Sequence, residues 1–470
     1  MAFNSFYFWV FFPFIFSFYW LIPNGKHTFK KIFLLIASYL LYMNWNPIYA
    51  LVLLGISIVI YYGGGLILKF NKYRKIIIIF IGTVAFAPLV VFKYYNFICK
   101  IISDGCAFAG ATVILPKLHW AVPVGISFFT FQATGYLLDV YHGRIQAEDN
   151  FIDLSLFVSF FPQIASGPIS RADELLPQIK TPCPFDYMQG RQGLRQLLWG
   201  MFIKTVIADR LGLFVDMIYA NYNHYSGSTC FMASIFYTLQ IYCDFSGYSL
   251  MATGIAKTMG YNLPVNFIRP YFAVGIADFW KRWHITLTQW LTRQVYIPLG
   301  GSRCSSIRHC YNILITFLVS GIWHGANWTF IIWGMMHGMI SVIEKKAKIS
   351  NVVGSSLWKK TVWMLVTFLF VNVAWVFFRM PSVHEALGLI RRFVVTDGTG
   401  AMAAMGKKTF LTILVTLPIF LFKEIHGEFF KKSMPWLGAW WARWPIYLFL
   451  FMMILTFGVM DSGQFIYVSF

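Results

Sequence analysis

Three features of the sequence predict an all-α fold that crosses a membrane many times. The 470 residues are 58% hydrophobic and only 12% charged, where soluble domains carry about 25% charged residues. The charges are also clustered. Residues 1–25, 76–92, 121–138, 361–378 and 444–460 hold no Lys, Arg, Asp or Glu, and a membrane helix needs roughly 17–25 apolar residues. Finally, the basic residues sit in short connections beside these runs, as the cytoplasmic flanks of spans do. The net charge of +20 therefore reads as membrane orientation, not as a nucleic-acid surface.

Taken in chain order, the first apolar run has no basic segment before it, which marks a retained span and not a cleaved signal peptide. The uncharged run 32–68 would reach about 55 Å as one helix, far beyond the ~30 Å hydrocarbon core. It must fold back, and Trp45-Asn46-Pro47 is the turn. Lys26, Lys30 and Lys31 before this run, and Lys69, Lys72, Arg74 and Lys75 after it, are expected on the cytoplasmic side. Both termini are then extracytoplasmic. The polar connections near 142–153, 171–195, 259–310 and 423–443 are too short for a soluble domain of about 50 residues or more. The expectation is a single membrane domain over 1–470, with roughly ten to twelve membrane segments. No internal repeat or low-complexity tract is visible, so a large extracellular substrate would be recognised by another protein. The seven cysteines include no C-x-x-C pair, and Cys304, His309 and Cys310 suit no common zinc spacing. No metal and no bound cofactor is expected.

One polar connection has helical periodicity. In 276–293, Trp280, Trp283, Leu287, Trp290 and Leu291 recur on one face, which predicts an amphipathic helix lying in the membrane interface. His284 points towards its buried side. The uncharged stretch 311–343 then carries two histidines. An ionisable residue inside a span is costly and marks a functional site. His324, beside Trp323 and Gly325 with Gly321 and Asn327 close by, can accept a proton near neutral pH, and the glycine would admit a substrate to the backbone. The bland alternative is a histidine bridging two helices. His337 would be turned roughly 220° from His324 on an unbroken helix, so it reads as structural unless Gly325-Ala326-Asn327 breaks the helix. Asp244, in QIYCDFSGYSL, needs a partner. His284, His324 or a structural arginine are the candidates.

The stretches FNSFYFWVFFPFIFSFYWLIP, PVGISFFTFQATGYLLDVY, FFPQIASGPISR, QIYCDFSGYS, NFIRPYFAVGIADFWKRWHITLTQWLTRQVYIPLGG and SGIWHGANWTFIIWGMMHG run almost end to end through the chain. Together, in this order, they resemble the membrane-bound O-acyltransferase (MBOAT) family, in particular its bacterial cell-envelope branch of alginate O-acetylases and peptidoglycan O-acetyltransferases. The resemblance implies a ring of about ten to twelve tilted helices around a thin core pierced by a tunnel. His324 would correspond to the family's catalytic histidine and His284 to the histidine ending FWKRWH. Asp244, Trp323, Asn327 and Trp283 become candidate substrate-binding residues.

The same resemblance implies acetyl-CoA as a cytoplasmic donor substrate and an extracytoplasmic acetyltransferase of the SGNH type as partner. The acetyl group would pass across the cytoplasmic membrane to a cell-envelope or exopolysaccharide. A hydroxyl would attack the thioester while His324 takes its proton. His284 and Asp244 would orient the groups or support charge on the oxygen. The C-terminal segment 461–470 resembles endings in this branch. Tyr467 is a candidate first acyl acceptor, with an aromatic membrane anchor as the alternative. Acylation of a lipid or teichoic acid, including D-alanyl transfer, is the rival within this fold. A transporter or flippase without covalent chemistry is the rival outside it, and would spread ionisable residues along a path.

Overall fold

The computed structural model describes residues 3–349, 354, 356–430 and 439–459. These residues form helices and their connections, with one isolated β-bridge between Tyr225 and Thr399. The chain is all-α, as expected. Among the described residues, five helices are long and apolar enough to cross a membrane: Pro47–Lys69, Asn71–Phe108, Leu357–Arg379, Lys407–Phe429 and Trp440–Phe457. Phe6–Leu21 and Asn24–Met43, bent by 109° at their break, pass the same test only as a pair, as one broken span or a re-entrant loop. This is fewer full-length spans than the roughly ten to twelve segments expected from apolar runs. Some runs yield shorter helices, such as Ile126–Tyr141 with 16 residues, and others mix polar residues into long ones, such as Gly227–Thr258. The chain forms two compact units. One takes the chain as far as Leu194 and again Ala252–Pro264, and the other takes Arg195–Met251 and the chain from Val265 onward.

In the first unit the turn at 44–46 forms as predicted. Asn46 caps helix Pro47–Lys69 by accepting from Ile48 N at 2.9 Å, and Pro47 occupies the first helical turn, where its missing N–H costs nothing. Two of the basic residues near the N-terminus turn out to be more than flanking charges. Lys31 is buried against Asp153 at 2.6 Å. Lys30 is buried too, bonded to Asn24 Oδ1 at 2.8 Å and lying against the rings of Tyr19 and Trp20.

The second unit begins within helix Tyr187–Phe202, which ends in a π-helical turn, Ile203–Ala208, before helix Asp209–Ala220 begins. Such turns are rare and occur often at functional positions. Two glycines bring this segment against helix Gly227–Thr258. A Cβ added to Gly200 would stand 2.7 Å from the carbonyl oxygen of Gly247, and one added to Gly247 would stand 2.8 Å from that of Gly200. The close approach seats Lys204 between two acids, 2.6 Å from Asp209 and 2.5 Å from Asp244, all three buried. Lys204 is therefore the partner that Asp244 requires, in place of the histidine or arginine expected. Breaking a buried pair costs about 3–5 kcal/mol, which gives Asp244 a structural task. Helix Leu357–Arg379 is joined to Gly227–Thr258 through Asn372, which donates to Thr238 Oγ1 at 2.8 Å and accepts from Ser234 Oγ at 3.0 Å.

The amphipathic helix expected over 276–293 is broken in two. Helices Ile276–Arg282 and Ile285–Leu291 are separated by Trp283 and His284, and a π-helical turn, Thr292–Tyr296, follows. His284 has φ +43°, a left-handed conformation that costs a non-glycine residue about 1–3 kcal/mol. Side chains from elsewhere hold each half. Glu344 accepts from Ile276 N with both carboxylate oxygens, at 2.9 and 2.8 Å, supplying the negative charge a helix N-terminus favours. Asn266, which is neutral, holds the second half by accepting from Ile285 N and Thr286 N.

Candidate functional site

His324 is the last residue of helix Ser306–His324. The helix stops because Gly325 is fully extended (φ −169°, ψ 156°) and Asn327 starts the next helix, Trp328–Lys346, by accepting from Thr329 N at 3.2 Å. The break at Gly325-Ala326-Asn327 thus exists, and the missing side chain lets the Phe330 ring pack against the backbone there. A Cβ on Gly325 would stand 2.1 Å from the ring of Phe330. The two helices cross at another close pair, where a Cβ on Gly321 would lie 2.4 Å from the Phe330 carbonyl oxygen and one on Gly334 2.4 Å from that of Phe317.

This crossing buries the His324 ring edge-on against Trp323 and Trp333, at 4.9 Å each, and Phe378 at 5.1 Å. His284, fully buried, stands with its ring centroid 6.5 Å from that of His324. Trp323 lies beside both, 5.8 Å from His284. Phe245 packs against His284 at 4.7 Å with the two rings perpendicular. His284 lies outside the six span candidates, and burial pushes its pKa down to about 3, so the ring is neutral at physiological pH. Two buried imidazoles within one aromatic shell offer proton acceptors in a place where water is scarce and electrostatic effects are strong.

Of the predicted residues, the structure brings His284, His324 and Trp323 together. Trp283 packs next door, 4.9 Å from Trp375 and 5.0 Å from Phe267, in a cluster that has Phe245 on the same Phe267 ring. Asp244 is engaged in the ion triad, and its neighbour Phe245 packs against His284. Asn327 is spent as a helix cap and in donating to Pro381 O at 2.8 Å. Tyr467 lies outside the described residues. Sequence reasoning missed Lys204, Trp333, Phe378 and Asn266. A lone lysine in MFIKTVIAD could have signalled the first. Asn266, three residues before Arg269 in NFIRPYF, carries no signal of its own.

The all-helical fold with its apolar spans defines a polytopic membrane protein, and comparison with known proteins gives the family. A profile of the membrane-bound O-acyltransferase family matches residues 67–378. The chain belongs to that family, and its chemistry is acyl transfer. It is 36% identical to a peptidoglycan O-acetyltransferase of Helicobacter pylori, over 79% of this chain and 75% of that protein. It is 34% identical to a probable alginate O-acetylase AlgI of Pseudomonas aeruginosa, over 80% of this chain and 71% of that protein. A teichoic acid D-alanyltransferase of Bacillus subtilis is 26% identical over 56% of this chain and 70% of that protein. The chain is a multi-pass membrane protein.

Proposed function

We propose that this protein takes an acetyl group from acetyl-CoA on the cytoplasmic side of the bacterial cytoplasmic membrane and passes it across for O-acetylation of a cell-envelope or exopolysaccharide. The observation that carries this reading is the pair of buried imidazoles, 6.5 Å apart, in a chain similar over most of its length to two polysaccharide-directed O-acetylases. The acceptor hydroxyl attacks the thioester carbon, and its proton passes to His324, the central residue of the Trp-His-Gly motif. His284 orients the hydroxyl. The neighbouring aromatic rings exclude water that would otherwise hydrolyse the thioester.

An extracytoplasmic acetyltransferase of the SGNH type would deliver the group to the polymer, with Tyr467 as the relay. A tyrosyl ester is more reactive than a sugar ester, which suits a carrier, and Tyr467→Phe should eliminate polymer acetylation without altering insertion. Normal polymer acetylation by that variant returns the tail to an anchor role. The main experiment measures thiol release from acetyl-CoA in vesicles of known protein orientation. CoA should appear only when the donor is on the cytoplasmic face, and equal release from both faces, or none, would overturn the reading.

A further inference from the structure

Asn266 lies in the extended segment ahead of the two short helices, and its side chain is buried. Its carboxamide oxygen stands 3.2 Å from Thr286 N, 3.0 Å from Thr286 Oγ1 and 3.2 Å from His284 Nδ1. Its backbone carbonyl accepts from Ile285 N at 3.0 Å. One residue thus satisfies the first two N–H groups of helix Ile285–Leu291, which have no partner within the helix.

The same contacts determine where the His284 hydrogen is. A backbone N–H can only donate, so the atom facing Thr286 N is the carboxamide oxygen, and that oxygen can only accept. The contact with His284 is therefore a bond donated by Nδ1–H. A neutral imidazole has one donor nitrogen and one acceptor nitrogen, so Nε2 carries a lone pair. Such a ring cannot donate to a thioester carbonyl oxygen through Nε2. It can only receive a hydrogen there.

We propose that Asn266 is a positioning residue for acyl transfer: it holds the hydrogen on His284 Nδ1 and so makes Nε2 an acceptor for the attacking hydroxyl. This deepens the functional reading above and rests on it. With ring centroids 6.5 Å apart, nitrogens of His284 and His324 turned towards each other remain roughly 4 Å apart, beyond the 2.7–3.2 Å of a direct hydrogen bond. One oxygen atom can bridge that gap. A hydroxyl held there points its one hydrogen at His284 Nε2 when it binds, which orients a lone pair at the thioester carbon, and passes that hydrogen to His324 as the oxygen attacks. The C–O bond forms and the C–S bond breaks. The proton stays on the histidine pair until the departing CoA thiolate takes it.

A capping role alone would change stability but not the tautomer, so the test reads both. Purified protein with ring-¹⁵N-labelled histidine should show His284, identified by the signal lost in His284→Asn, as a single Nδ1–H tautomer. Asn266→Ala should mix the tautomers and lower kcat for acetyl-CoA consumption by about 10²-fold, the scale of a misplaced reacting group, with KM for acetyl-CoA unchanged. Asn266→Asp, which keeps an accepting oxygen, should retain the Nδ1–H tautomer and recover most of the rate. An Nε2–H tautomer in the wild-type protein overturns the proposal. So does an Asn266→Ala variant with the wild-type tautomer and rate. If Asn266→Ala does not fold, Asn266→Asp decides alone: loss of either the tautomer or the rate overturns the proposal, and retention of both supports it. The tautomer is read without substrate, so a wild-type protein that never consumes acetyl-CoA sinks the functional reading separately.

Discussion

His284 and His337 both lie fully buried among aromatic rings in the same compact unit, yet their hydrogen bonds run in opposite directions. His284 donates from Nδ1 to the Asn266 oxygen. His337 accepts at Nδ1 from Trp280 Nε1 at 3.3 Å, and because an indole N–H can only donate, the His337 hydrogen is on Nε2. Among the described residues that Nε2 has no hydrogen-bond partner. The rings of Phe279 and Phe317 lie nearly parallel to it, at 6.1 and 6.2 Å. His337 sits inside a regular helix, whereas His284 occupies a left-handed break between two. The comparison shows that burial does not decide what a histidine does. The donor or acceptor placed against its first nitrogen decides what the second can offer.

The contrast can be broken or sharpened by substitution, starting with the reference histidine that shares the His284 shell. His324→Ala should remove acetyl-CoA consumption by about 10²–10⁴-fold, the usual loss of a general base, while the protein still inserts and extracts normally. Substantial turnover in that folded variant would take the proton-accepting role away from His324. His284→Ala should cost about 10²-fold, and His284→Asn clearly less, because asparagine keeps one hydrogen-bonding position at the site. Equal inactivity of the two, with folding intact, would make His284 itself the proton acceptor. His337→Phe should leave the rate unchanged and lower stability by about 1–3 kcal/mol, since the Trp280 N–H is left buried without its acceptor. Thermal unfolding and thiol release measured on one preparation separate these effects. A large loss of rate in folded His337→Phe would erase the distinction between the two histidines.

Much of the fold is legible in the uncharged runs, because excluding charge from a bilayer is a composition rule that needs no knowledge of contacts. The His324 setting is legible for the same reason, since an ionisable residue in such a run is conspicuous. The helix over 276–293 is where periodicity misleads. Trp280 and Trp283 keep helical spacing, but Trp280 serves His337 while Trp283 packs on Phe267 and Trp375. The break at Trp283 and His284 is held from outside by Asn266, which accepts from the first two N–H groups of the helix that follows. The partner of Asp244 is hidden because Lys204 lies on another helix, and the sequence does not say which helices touch. Gly325 hides its packing role. Beside a histidine it suggests access, and only the structure places the Phe330 ring against it.

The glycine crossing at Gly200 and Gly247 has an evolutionary corollary. Each residue forbids a side chain on the other, because either Cβ would press on a backbone oxygen that cannot retreat without its helix. Neither position can drift alone. A lineage that loses one glycine must move the two helices apart, and with them Lys204 from Asp244. Homologues should therefore keep both glycines together with the lysine and the aspartate, or exchange all four as a block, so these positions should covary as a set.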